Sequence, residues 1–284
     1  MISELTVTQI ESYHEHGFLV VEGFFDDVEL EMWRQCIDAA VIDRLEGSVE
    51  PSTNQMNPDS SSRINLNLTN QANPQDFYAR VFTQCLRLAD TNDAVRELVY
   101  DPRLGKLTND LVGTEGIRVW HDQALIKPPH GNPTAWHLDV PYWSFDSHDA
   151  ISFWVALDDA TLENGCMWYI PGSHKTARFD NNVGIGHNVG ELFNVYPEWR
   201  DIDPVPVPCP AGSIVWHNGL CAHGAGANMT NKYRRAMTCA FMPDGSCFNG
   251  KRNILPPDLF ESLEVGDLLE NEEQNPLVWH TSWP

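Results

Sequence analysis

The chain has 284 residues and carries 18 Lys+Arg against 40 Asp+Glu, a formal net charge of −22. A 42% hydrophobic and 20% charged composition is that of a globular protein long enough for one large domain with its own core. Acidity on this scale repels phosphate backbones and anionic lipid surfaces, so nucleic acid and membranes are excluded as partners, and any anionic ligand needs a few local cations. Seven cysteines are scattered without a Cys-x-x-Cys pair, which argues against both a disulfide framework and a thiolate zinc site. The opening MISELTVTQIESYHEHG has acids where a secretory leader needs a basic start, and no apolar stretch approaches a membrane span. A reduced, cytoplasmic protein is expected, as a monomer or small homo-oligomer.

From the N-terminus, Thr8 to Glu11 has capping-box spacing for a first helix that Gly17 stops, before the apolar run Phe18 to Val21. Asp26 and Asp27 can cap a second helix running to about Arg44. Residues 47–62, rich in Ser, Asn and Pro, read as a loop; Ile64, Leu66 and Leu68 then alternate with Asn as in a strand. Two or three helices are expected over 75–112, punctuated at Asp101-Pro102.

Beyond residue 116 the pattern becomes extended. Segments 117–127, 150–157, 166–170, 213–216 and 235–242 are short and β-branched or aromatic, with turn signals between them. Mainly β with flanking helices, built on a double-stranded β-helix (a cupin-like jelly roll), is the expected fold. The organisation predicted is one domain over 1–284. It has a mainly helical part over 1–115, a jelly-roll core over 116–243 with an insertion at 174–206 that reads as a lid or binding loop, and an acidic tail over 244–284. Trp279 and Trp283 in that tail need something to bury against.

The chemistry concentrates at Trp136-His137-Leu138-Asp139. On a strand, positions i and i+2 share a face, so His137 and Asp139 can hold one metal ion together. A second imidazole from IVWHNGLCAHGAG, either His217 or His223, would complete a two-His-one-carboxylate set that leaves open positions on Fe(II). Eleven residues after His223 lies Arg234, on a strand predicted to neighbour the one carrying His223. Neighbouring residues on a strand face opposite ways, so either Arg234 or Arg235 points inward to grip a carboxylate in two-pronged fashion. Such a set suits a 2-oxo diacid: two oxygens for the metal and one distant carboxylate for the guanidinium. Tyr142, Trp143 and Phe145 read equally as pocket wall or as packing. His121, His130, His148, His174 and His187 have no partner pattern and read as ordinary histidines.

The segments QALIKPP, WHLDVPYW, FWVALDDATLENGCMWYIPGSH and HGAGANMTNKYRRAM resemble the phytanoyl-CoA dioxygenase family of Fe(II)- and 2-oxoglutarate-dependent oxygenases, over about residues 117–243. The resemblance implies iron on His137, Asp139 and His223. It puts 2-oxoglutarate on Arg234, with Gln123 and Trp154 lining its pocket. His217 then falls outside the ligand set, and Arg235 becomes a solvent-facing charge. It also implies O2 and a small-molecule substrate, and hydroxylation, because Asp139 stands where related halogenases lack a carboxylate. Ala225 departs from the pattern: some members have there a Ser that contacts the cosubstrate. Lys127 resembles a common family position without an evident role. The alternatives are a non-oxidative metal-binding jelly-roll protein and a cupin-like isomerase.

Overall fold

The computed structural model describes residues 1–45, 77 and 80–283. The loop expected at 47–62 and the strand at Ile64 to Leu68 lie outside the described residues.

Helix α1 spans Val7–His16. Its capping box is two residues earlier than the Thr8–Glu11 spacing suggests: Thr6 is the cap and Gln9 answers it, because Thr6 already has extended backbone. Gly17 ends the helix at φ 85°, and a Cβ there would sit 2.4 Å from the His174 ring, so both conformation and space demand glycine. Strand β1 is Phe18–Val21 and helix α2 is Asp27–Leu45; Asp26 accepts from the Val28 and Glu29 amides as its cap.

The stretch expected to be helical over 75–112 holds a strand first, β2 at Thr83–Leu86, then α3 at Asp93–Val99 and α4 at Pro102–Val112. TQCL lacks a strong strand signature; it is held as a strand by pairing with β3 (Gly116–Lys127). The other strands are β4 (Thr134–His137), β5 (Ile151–Ala156), β6 (Met167–Tyr169), β7 (Val205–Val207), β8 (Ile214–Asn218), β9 (His223–Ala225), β10 (Arg234–Pro243) and β11 (Leu277–His280). Short helices α5 (Leu192–Val195) and α6 (Pro257–Ser262) and a few 3-10 turns complete the described elements.

All pairings are antiparallel. One sheet runs β1-β8-β5-β10-β3-β11, with β2 also on β3; the other runs β4-β9-β6-β7. This is the mainly β jelly roll expected from the strand pattern. The segment 174–206 does not stay outside it, since its last residues enter β7 at the edge of the small sheet.

Strand alternation divides the large sheet by face. Phe153, Trp216, Met237 and Phe241 turn outward and pack with Trp33, Ile37, Leu104 and Leu107 of the helices in one apolar core. Arg234, Ala236, Thr238 and Ala240 turn inward, and their partners across β3 are Lys127, Leu125, Gln123 and His121. In the tail, β11 pairs with the start of β3 and packs Val278 and Trp279 on the same core, whereas Trp283 stays 43% exposed. Among the described residues no helix is long and apolar enough to cross a membrane.

Candidate active site

His137 ends β4 and His223 opens β9, and the two face each other across that strand pair. Asp139 follows His137 by two residues, where the chain leaves the strand. The Asp139 and Val140 amides both donate to the Gly219 carbonyl, at 2.9 and 3.0 Å. That close approach is possible because residue 219 is glycine: a Cβ would meet Val140 at 2.5 Å.

One ligand atom from each of His137, Asp139 and His223 lies within 4.8 Å of the others. Each imidazole bonds a carbonyl through Nδ1, His137 to Ala135 at 2.8 Å and His223 to Cys221 at 2.9 Å. A carbonyl only accepts, so Nδ1 carries the hydrogen and Nε2 keeps its lone pair directed at Asp139 Oδ1, at 3.6 and 3.8 Å. Burial pushes both imidazoles down in pKa, His223 to about 3 with His137 adding to the effect. Burial alone would raise the Asp139 carboxyl; the imidazoles of His223, His217 and His137 outweigh it and hold it well below the carboxylate range. Two neutral imidazoles and an ionised carboxylate are the donor forms a divalent metal needs.

His217, which the sequence offers as a competing ligand or, more readily, as a solvated residue or a support to the ligands, lies behind Asp139 and is not solvated. It ends β8 nearly fully buried, with Nε2 3.3 Å from Asp139 Oδ2 and Nδ1 3.2 Å from the Tyr169 hydroxyl. It occupies the carboxylate oxygen that the other two histidines leave free.

A cavity of about 110 Å³ opens beside this cluster. Arg234 lines it, but not from a strand next to His223 as the sequence suggests: β10 lies in the large sheet between β3 and β5, and β9 in the small one. The guanidinium therefore faces the cavity from the opposite wall. It is 2% exposed, its carbon lies 5.2 Å from the Trp154 ring centroid, and its Nε and Nη1 have no hydrogen-bond partner among the described residues. A buried guanidinium with idle donors fits an absent carboxylate. Arg235 is no free surface charge: it pairs with Asp158 at 2.6 Å and with Asp38 at 2.5 Å.

Gln123 and Trp154 also line the cavity; Gln123 accepts from the Gln84 amide. Tyr142 and Trp143 belong to its wall, whereas Phe145 packs against Trp120. The Tyr142 hydroxyl donates to the Val183 carbonyl and Asn182 bonds Leu138, so the 174–206 segment is tied beside Asp139. Ala225 lines the cavity where a hydroxyl could have stood.

His121 has no partner pattern in the sequence. It lines the cavity, is 4% exposed, has an unpartnered Nδ1, and is pushed by burial to about pKa 4, hence neutral. The only clue available was parity: it stands two residues before Gln123 on one strand.

The model of the phytanoyl-CoA dioxygenase family matches residues 13–236, most of the chain. The chain belongs to this family. Among its relatives, a phytanoyl-CoA dioxygenase of Arabidopsis thaliana is 26% identical, with 88% of this chain and 93% of that protein covered. A probable alpha-ketoglutarate-dependent hypophosphite dioxygenase of Stutzerimonas stutzeri is 24% identical over 82% of this chain and 77% of its own. In fold, this phytanoyl-CoA dioxygenase family member is similar to the non-haem alpha-ketoglutarate-dependent carbocyclase SnoK from nogalamycin biosynthesis. That match has a TM-score of 0.74 at 24% identity and covers 96% of each chain.

Proposed function

We propose that this protein is an Fe(II)- and 2-oxoglutarate-dependent dioxygenase that hydroxylates a small organic molecule. The observation that carries the reading is one cavity with two opposed fittings. A His-Asp-His face is fixed in donor form on the small sheet, and a buried guanidinium with idle donors stands on the large one. A metal-binding protein or cupin-like isomerase that takes no 2-oxo acid has no use for the second fitting.

When bound, the metal and the 2-oxo acid together turn O2 into an oxidant for a C–H bond, the cosubstrate leaving as succinate and CO2. His137, Asp139 and His223 would hold the metal by one face and leave the opposite positions open. His217 keeps Asp139 oriented so that one carboxylate oxygen is engaged and the other is free. Arg234 would take the far carboxylate of 2-oxoglutarate, its charge enclosed by Trp154. Along β10, Arg234 and Ala240 are six residues, or about 20 Å, apart. His121 and Ser152 flank Ala240 on the neighbouring strands. Together with Tyr142 and Trp143 they would receive the substrate at the other end, with neutral hydrogen-bonding groups and an aromatic wall. Uncharged lining there favours a small organic molecule over a phosphate-rich thioester.

The test is succinate formation from 2-oxoglutarate by the iron-loaded protein across a panel of small molecules. The proposal expects succinate only when O2 is present, and none from His137→Ala. Succinate formed equally without O2, or by the variant, would contradict it.

A further inference from the structure

Strand β3 breaks its own alternation beside the metal-ligating residues. On β10, Ala240 pairs with His121 but the next residue, Phe241, pairs with Val119, so Trp120 has no partner and forms a β-bulge. The bulge turns two consecutive side chains to one face. Trp120 packs its ring 5.3 Å from that of Phe145, and His121 lines the cavity with its ring 6.0 Å from that of Trp143. Val119 and Asp122, on either side, face the helical layer instead.

The register then sets four cavity residues in a row across the large sheet: His121 on β3, Ala240 on β10, Ser152 on β5 and His217 on β8. His217 is engaged with Asp139 and Tyr169. His121 and Ser152 are not engaged. They are 4% and 5% exposed, the imidazole Nδ1 is unpartnered, and no hydrogen bond joins the Ser152 hydroxyl to another described residue. Two strand spacings, about 10 Å, separate them, with only the Ala240 methyl between. Polar groups this deep without partners are rare, and they mark places where a ligand supplies the bond.

We propose that His121 and Ser152 select the substrate by a hydroxyl group, which gives one hydrogen bond to the imidazole and takes one from the serine above the Ala240 methyl. This names the substrate class within the dioxygenase reading, and rests on that reading for calling the occupant a substrate. The class is an uncharged alcohol with a flat apolar body that lies against Trp143. A neutral imidazole has one accepting nitrogen, and burial, which pushes His121 down to about pKa 4, keeps it neutral. A carboxylate would meet no cation in this row, and a hydrocarbon would leave both polar groups without partners. The same row ends at His217, which bonds Asp139, so the hydroxyl places its adjoining carbons at the metal end of the cavity. His121 and Ser152 are specificity-determining residues.

Equilibrium dialysis of the anaerobic protein, loaded with Fe(II) and saturating 2-oxoglutarate, tests this with three compounds of one shape: 1-indanol, indane and indane-1-carboxylate. We expect 1-indanol to bind about tenfold more tightly than indane, the effect of two neutral hydrogen bonds, and the carboxylate to bind no better than indane. His121→Phe and Ser152→Ala should each cut that preference to about threefold or less, and His121→Asn should recover part of it. A merely structural role would weaken 1-indanol and indane alike and leave their ratio unchanged. Equal binding or no binding of the two in the wild type, a ratio that survives both substitutions, or tighter binding of the carboxylate would overturn the proposal. Succinate release is followed separately. A hydroxyl preference with no succinate from any compound would leave the seat and remove the dioxygenase reading, whereas succinate without the preference would remove the seat alone.

Discussion

At the scale of single residues, the site depends on which hydrogen bond each imidazole makes. His137 and His223 spend Nδ1 on carbonyls and offer Nε2, whereas His217 bridges Asp139 and the Tyr169 hydroxyl. Partners of this kind are typically worth 10–100-fold in metal affinity. We therefore predict that His217→Phe weakens Fe(II) binding by about that factor while the fold is retained, measured by competition with a chromophoric chelator. Unchanged affinity would reduce His217 to packing. The residues singled out from sequence, His137, Asp139, His223, Arg234, Gln123 and Trp154, all line one cavity. His137, Asp139 and Arg234 are legible because metal and carboxylate chemistry needs particular side chains at strand spacing, whereas Gln123 and Trp154 are implied only by the family resemblance. His121 is not legible, since a neutral imidazole that only hydrogen-bonds leaves no spacing to read, and the choice between His217 and His223 turned on tautomers and backbone carbonyls that a sequence does not display.

At the scale of elements, β3 shows how alternation assigns opposite duties to adjacent residues. His121 and Gln123 face the cavity, while Asp122 faces the helical layer and accepts the Leu88 amide at 2.9 Å. Burial, with Asp90 adding to it, pushes the Asp122 carboxyl up to about pKa 7. A carboxyl raised on folding contributes stability that is fully present below its unfolded value near 4 and is lost as pH rises towards 7. Relative to Asp122→Asn, the wild type should therefore lose stability between about pH 4 and 7 and level off above that range. Denaturant midpoints of the two proteins across pH check this; parallel curves would show that Asp122 is ionised throughout. The β3 and β10 spans are legible within a residue or two because their extended pattern is long. Sequence reading misses β2, whose four residues TQCL become a strand through pairing with β3 and not through their own preference.

At the scale of the whole molecule, two sheets of unequal size carry two halves of one site. The small sheet presents His137 and His223, and the large sheet presents Arg234, Trp154 and His121. Sequence reading placed Arg234 beside His223 along one sheet; across the cavity is the arrangement the fold adopts, and it leaves room between them for a ligand with a chelating end and a distant carboxylate. A net charge of −22 around a cavity with a buried Arg234 means that the cosubstrate dianion is drawn by local cations against the field of the rest of the chain.

The most direct measurement is an anaerobic titration of the metal-free protein with Fe(II) and then 2-oxoglutarate, following the visible charge-transfer band of the chelate. The wild type should show the band. Arg234→Ala should need about 10–100-fold more 2-oxoglutarate to reach it, the loss of charge-assisted hydrogen bonds. His223→Ala should show no band. Iron demonstrably bound with no band at saturating 2-oxoglutarate would contradict the account at its centre.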